Sequence, residues 1–155
     1  MKWLAVDYGD SRTGLAGCDE SETVTSPITP QIEEKSMNKV AAAVVDAARA
    51  RQAAGLVCGL PKNMDGTEGK RAEKSRRFAK RLADMAGVPV VMWDERRTTV
   101  SAAAILADND TFGQKRKEKL DSVSAAVILE SFLNWRAHHP GETAPEQLMP
   151  RQEQA

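Results

Sequence analysis

The stretch WLAVDYGDSRTGLAG, residues 3–17, decides the architecture. Trp3, Leu4, Ala5 and Val6 form a short apolar run, closed by the turn-rich cluster Asp7-Tyr8-Gly9-Asp10, and strand character resumes over residues 13–17. An apolar run, a turn and a second run at this spacing predict a β-hairpin with an acid at the end of its first strand. A short third strand is expected over residues 22–25, stopped by Ser26-Pro27 and Thr29-Pro30, which impose extended or turn conformations.

Outward from the hairpin the pattern alternates helix and strand. Ser36 is a good N-cap, Val40, Val44 and Ala48 share one helical face, and Gly55 stands where a helix end favours glycine, so a helix is predicted over residues 37–54. Leu56-Val57-Cys58-Gly59-Leu60, ended by Pro61, is a continuous apolar run suited to a strand buried on both faces. A second helix is predicted over residues 68–85, with Ala72, Ser75, Ala79, Leu82 and Met85 or Ala86 inward and Gly87 closing it. Residues 88–93 form the next strand. Strand, helix, strand at these lengths calls for a right-handed crossover between parallel strands, hence an α/β fold with a mixed sheet.

After Asp94-Glu95-Arg96-Arg97, Thr98 and Thr99 could cap an alanine-rich helix over residues 100–107. Residues 109–119 read as a loop with a basic run, and residues 120–137 as a final helix whose apolar face contains Val123, Val127, Ile128 and Phe132. From His138 on, proline, glycine and glutamine replace large apolar residues, which predicts a disordered tail over residues 138–155 behind one domain of residues 1–137. The 155 residues and 41% hydrophobic content fit that single core.

Lysine plus arginine equals aspartate plus glutamate at 22 each, so any basic surface must come from local clustering. No apolar run approaches the roughly 20 residues of a membrane helix, and no signal-peptide pattern opens the chain, so a soluble cytoplasmic protein without a membrane partner is expected. Cys18 and Cys58 lack metal-ligand spacing and read as buried thiols.

Three acids stand at element ends: Asp7 after the first strand, Asp94-Glu95 after the last, and Asp121 at the start of the final helix. Ligands of open α/β sheets bind outside the carboxyl ends of strands, where these acids could converge. Converging carboxylates repel one another, and a hard divalent ion relieves that repulsion while leaving room for water and phosphate. Two such ions about 4 Å apart can activate a water and stabilise a leaving oxygen, which is phosphodiester hydrolysis. Each acid also has a plain reading. Asp7 could initiate the hairpin turn, Glu95 could be a surface charge paired with Arg96 or Arg97, and Asp121 could be an N-cap. Asp121 does share a helical face with Ala125, Ile128 and Phe132, which turns it inward.

Lys70, Lys74, Arg77 and Arg81 recur along one face of the second helix, either as a solvated stripe or as phosphate contacts. Lys115, Arg116 and Lys117 form a second cluster suited to a nucleic-acid backbone. Arg12 and Asn63 project from the same expected edge as Asp7, and Arg96 could fix Glu95 or clamp phosphate. Trp3, Trp93 and Trp135 are expected in the core, and His138-His139 has no assigned role.

These residues resemble the YqgF family, also called RuvX, of Holliday junction resolvases and pre-16S rRNA nucleases. The match runs from about Leu4 to Arg136 and rests on four blocks in order: DYGDSRTGLA from Asp7, GLPKNMDGTEG from Gly59, DERRTT from Asp94 and LDSVSAAVILESFL from Leu120. The resemblance implies a ribonuclease-H-like fold, with a mixed five-stranded sheet flanked by helices, and a magnesium or manganese site acting on structured nucleic acid. By motif match Asp7, Glu95 and Asp121 take the catalytic and metal-binding positions, which favours Glu95 over Asp94. Lys62 and Arg97 stand where family members commonly carry apolar residues.

The resulting expectation is a metal-dependent endonuclease. Pre-16S rRNA maturation is the leading role, and resolution of branched DNA, where a homodimer would suit the symmetric junction, is the alternative. A non-catalytic RNA-binding module and a small actin-like nucleotide binder are rivals, the latter weakened because one small domain lacks the paired halves of such ATPases.

Overall fold

The computed structural model describes residues 1–98 and 114–150, with the side chains of residues 114–121 outside the description. The hairpin forms as expected: β1 (Trp3–Asp7) pairs antiparallel with β2 (Arg12–Cys18), Val6 opposite Leu15. A side chain at Gly9 would run into the Arg12 carbonyl, so the connection between the strands needs glycine there.

The third strand is longer and later than residues 22–25. β3 (Thr25–Glu33) runs through both Pro27 and Pro30, with a register shift between Thr13 and Leu15. Proline is tolerated here because β3 is the edge of the sheet, where one row of backbone donors has no ladder to complete.

Ser36 caps α1 (Met37–Ala50), its side chain accepting from the Lys39 amide. This helix ends four residues before the expected boundary. Gln52 takes a left-handed φ of 56°, and Gly55 is the first residue of β4 (Gly55–Leu60) rather than a helix cap. β4 is buried along its whole length, and it lies parallel to β1 with Val6 beside Cys58. α2 (Lys70–Ala86) buries Ala72, Ser75, Phe78, Ala79 and Leu82 and ends at left-handed Gly87. Met85 is 37% exposed, and of the two expected alternatives it is Ala86 that packs against the core, beside buried Ala83. β5 (Val90–Asp94) lies parallel to β4 and leads into a single 3-10 turn, Glu95–Arg97.

Residues 99–113, which include the helix expected over residues 100–107, lie outside the described residues. α3 (Gln114–His138) begins earlier than residue 120, so Lys115, Arg116 and Lys117 are helical rather than in a loop. Beyond α3 the chain returns to the sheet, where β6 (Gln147–Leu148) pairs antiparallel with β5. The expected disordered tail thus contributes a strand. The sheet has six strands in the order β3-β2-β1-β4-β5-β6, not five.

Alternation along the strands divides the core. Leu4, Val6, Leu56, Cys58, Val90 and Met92 face α1 and α2. Trp3, Ala5, Val57, Val91 and Trp93 face α3, whose Phe132 packs edge-on against Trp3 at 4.9 Å and Trp93 at 5.4 Å. Cys18 and Cys58 are both free, and burial pushes the Cys58 thiol up to about 12. Among the described residues no helix is long and apolar enough to cross a membrane.

Candidate active site

The parity of two strands puts two acids on one face. In β1, Trp3 and Ala5 face α3, so Asp7 continues that row, half-buried at the strand's carboxyl end. In β5, Val91 and Trp93 face α3, and Glu95 follows them onto the same side. Between β1 and β5 lies β4, with Gly59 beside Trp93 and one step past the Val6–Cys58 pair. A Cβ on Gly59 would lie 2.7 Å from Glu95 Oε1 and 2.7 Å from Ile128 Cδ1. The Glu95 carboxylate therefore rests in the space that glycine leaves open, directly beneath α3.

Burial pushes the Glu95 carboxyl above the ordinary glutamate range, with Asp94 adding to the shift and Arg71 opposing it. No described residue donates a hydrogen bond to it. Asp94, one residue earlier, belongs to the opposite row and has the opposite environment. It accepts from Arg96 through Nη2 at 2.7 Å and Nε at 3.1 Å and from the Arg96 amide at 3.0 Å. Those hydrogen bonds and the guanidinium charge hold its carboxyl below the usual range. Arg96 therefore fixes Asp94, not Glu95. Its Nη1 also donates to the Met64 carbonyl at 3.4 Å, which ties the turn to the loop after β4. Within that loop Asn63 donates from Nδ2 to Thr67 Oγ1 at 2.9 Å, and Thr67 donates to Asp65.

Asp121 stands in the first half of α3, two turns before Ile128 on the same helical face. Ile128 meets Gly59, and farther along the helix Phe132 reaches Trp3 at the start of β1. α3 thus runs opposite to β1, and its earlier turns lie toward the Asp7 end. Among the described side chains no three acids, histidines or cysteines form a metal-holding group, and the side chain of Asp121 is outside that description.

The basic candidates divide. Lys74 is half-buried and ion-paired with Asp10 in the hairpin turn, and Arg81 donates to Asn38. Lys70 and Arg77 are exposed, as is Arg12 at the start of β2. Lys115, Arg116 and Lys117 occupy the first turns of α3. Two contributors escaped the sequence reading. Gly59 looked like one more residue of an apolar run, and Arg71, whose charge acts on Glu95, lies off the basic stripe.

An antiparallel hairpin followed by parallel β4 and β5, with helices on both faces of the sheet, makes a ribonuclease-H-like fold, and Asp7 and Glu95 stand at the ends of β1 and β5. The fold is shared with the solved structure of Thermus thermophilus RuvC in complex with Holliday junction substrate, at a TM-score of 0.61 and 12% identity, covering 90% of this chain and 96% of that one. The chain belongs to the RuvX family, described as Holliday junction resolvase, which it matches over residues 1–135. Among curated relatives, the Myxococcus xanthus protein is 38% identical over 143 residues, covering 92% of this chain and 93% of that one. A Ruegeria pomeroyi protein is 39% identical over 129 residues, 83% of each chain. Both carry the description "Putative pre-16S rRNA nuclease". The enzyme class is that of a nuclease, a hydrolase of phosphodiester bonds.

Proposed function

We propose that this chain is a cytoplasmic endonuclease, dependent on Mg²⁺ or Mn²⁺, that processes the 5′ end of pre-16S rRNA, with Asp7, Glu95 and Asp121 as its metal-holding residues. One observation carries the reading: the Glu95 carboxylate fills the space that a Cβ on Gly59 would take, on the α3 side of the sheet where Asp7 ends β1. The donor set fits a hard divalent cation, since it is all carboxylate oxygen, and Glu95 is half-buried without a hydrogen bond from any described residue. When bound, such an ion activates a water and stabilises the leaving oxygen of the phosphodiester.

The chain's own residues do the rest. β1 and β5 hold Asp7 and Glu95 on rigid strand ends, and α3 carries Asp121 toward the same edge. Burial raises the Glu95 carboxyl, and the Arg71 charge favours its ionised form and partly opposes that shift. Lys70, Lys74, Arg77 and Arg81, with Arg12, Asn63, Arg96, Lys115, Arg116 and Lys117, supply contacts to the backbone of a structured nucleic acid. The RNA substrate rests on the relatives' description.

The test is purified protein with Mn²⁺ and a pre-16S rRNA fragment. Cleavage is expected and is abolished in Asp7→Asn, whereas equal activity in that variant would sink the mechanism. Mn²⁺ also raises the Tm of the wild type, by about 2.7 kcal/mol of linkage at a hundredfold excess over Kd, and not that of Asp7→Asn. The family description favours a second substrate, branched DNA. Cutting of a four-way junction by a dimer, with the rRNA fragment left intact, would select it. RNA binding that survives chelator and Asp7→Asn, with no cleavage of either substrate, would mark a recognition module instead.

A further inference from the structure

The 3-10 turn and the last turns of α3 border an open surface hollow of about 420 Å³ lined by Trp93, Arg97, Trp135, His138 and His139. None of these residues belongs to the acidic site. The Arg97 guanidinium lies over the Trp93 ring, 5.2 Å from its centroid. Trp93 meets Trp135 edge-on at 6.0 Å, and Trp135 stacks on His139 at 4.5 Å with the rings 13° from parallel. Nδ1 of His138 and of His139 each contacts the backbone carbonyl four residues earlier at 2.8 Å. A carbonyl only accepts, so Nδ1 carries the hydrogen, and Nε2 makes no hydrogen bond among the described residues.

Core packing accounts for Trp93, which is 2% exposed, but not for the rest. Trp135 is half-buried and His139 and Arg97 are exposed, so an aromatic stack and a cation meet solvent together in a concave surface. Planar π-faces beside a guanidinium suit a planar ring that carries an anion, and unpaired nucleotides are bound by that combination. The position also fits a strand being cut. Glu95 and Arg97 share one 3-10 turn, which rises about 2 Å per residue, so their backbone positions stand on the order of 4 Å apart along its axis.

We propose that this hollow takes one unpaired nucleobase of the cut strand, next to the scissile phosphate, with the base stacked on the Trp135–His139 pair and its phosphate on Arg97. The proposal rests on the nuclease reading and deepens it, by making an unpaired nucleotide at the cleavage point part of what the site recognises.

Tryptophan fluorescence with the full chain in chelator tests it. Trp3 and Trp93 are buried, so quenching by a stacked base reports on Trp135. Oligoadenylate is expected to quench the wild type, and Trp135→Ala is expected to lose that quench and bind about tenfold more weakly by anisotropy, the size of one base–aromatic stack. Trp135→Phe keeps most of the affinity, and His139→Ala, an exposed change that leaves the fold intact, weakens it about threefold. An oligomer of the same length lacking bases binds wild type and Trp135→Ala alike. Equal affinity of wild type and both alanine variants for oligoadenylate would overturn the proposal. Asp7→Asn separates the two readings: it keeps the quench while losing cleavage, so persistent cleavage in that variant counts against the catalytic assignment and absence of quench against the hollow.

Discussion

The two ends of β4 use glycine for opposite purposes. At the start of the strand, a Cβ on Gly55 would lie 2.8 Å from Trp3 Cε3 and 3.0 Å from Cη2, so the glycine admits an indole into the core under α3. At the other end, on the same face, Gly59 admits the carboxylate of Glu95. One vacancy is filled by apolar packing and stabilises the fold. The other is filled by a carboxylate whose charged form burial disfavours, a cost in stability that the proposed role of Glu95 as a metal-holding acid would explain. At its carboxyl edge the sheet thus makes room for an acid, and at the opposite edge for the core.

Adding a methyl group at each glycine separates the two most sharply. Gly59→Ala pushes the Glu95 carboxylate or the tip of Ile128 out of its place. A misplacement of about 1 Å in a reacting constellation lowers the rate by on the order of 10²-fold. Gly55→Ala instead forces the Trp3 ring to move and destabilises by about 1–3 kcal/mol, the range for overpacking. Cleavage assays normalised to the folded fraction, alongside urea unfolding, distinguish them: Gly59→Ala loses activity per folded molecule and Gly55→Ala keeps it. Similar activity losses in both would collapse the distinction between a catalytic and a structural vacancy.

Neighbouring acids at the catalytic end sharpen the same contrast. Glu95 is held above its ordinary range, so the fold favours its protonated form and loses stability as pH rises through the folded value. Glu95→Gln removes that loss, and in chelator its Tm at pH 7 is expected to be a few degrees above wild type, while cleavage is lost. Asp94 is held below its range by Arg96, so it contributes stability that is present above the unfolded carboxyl value of about 3.9 and lost as pH falls through the folded one. Asp94→Asn lowers the Tm at pH 7 and flattens the acid limb. A Tm scan from pH 3 to pH 8 reads both, and a decrease for Glu95→Gln would show that the acid is a structural partner after all.

Much of this was legible in the sequence, because apolar runs broken by turns identify β1, β2, β4 and β5, and the acids at their ends follow directly. The misreadings have physical causes. Pro27 and Pro30 disguised β3, since their cost depends on whether a strand is central or at an edge, a property of topology. The polar opening of α3 has no apolar stripe, although its Gln, Lys, Arg and Glu residues are good helix formers, so periodicity alone hid its first turns. β6 is two residues long and owes its existence to pairing with β5. In the site, the residue that matters between the acids is the one without a side chain. Adjacency to Glu95 offered Arg96 to that carboxylate or to phosphate, but adjacency says nothing about parity, and its guanidinium bonds Asp94 rather than Glu95.

The smallest effect concerns the cations around that edge. Arg77 is exposed on α2, whereas Lys74, one turn earlier, is already ion-paired with Asp10. A free arginine that meets a phosphate releases a counterion, so Arg77→Ala lowers the salt slope of single-stranded RNA binding by about 0.7. Lys74→Ala removes a charge whose field Asp10 largely cancels, and its slope changes by less. Asp10→Asn has the opposite sign, since it releases Lys74 toward the substrate and steepens the slope. Anisotropy titrations over a range of KCl concentrations give all three values. If Lys74→Ala and Arg77→Ala moved the slope equally, the pairing with Asp10 would yield to phosphate on binding, and the hairpin turn that carries Asp7 would be one of the elements the substrate rearranges.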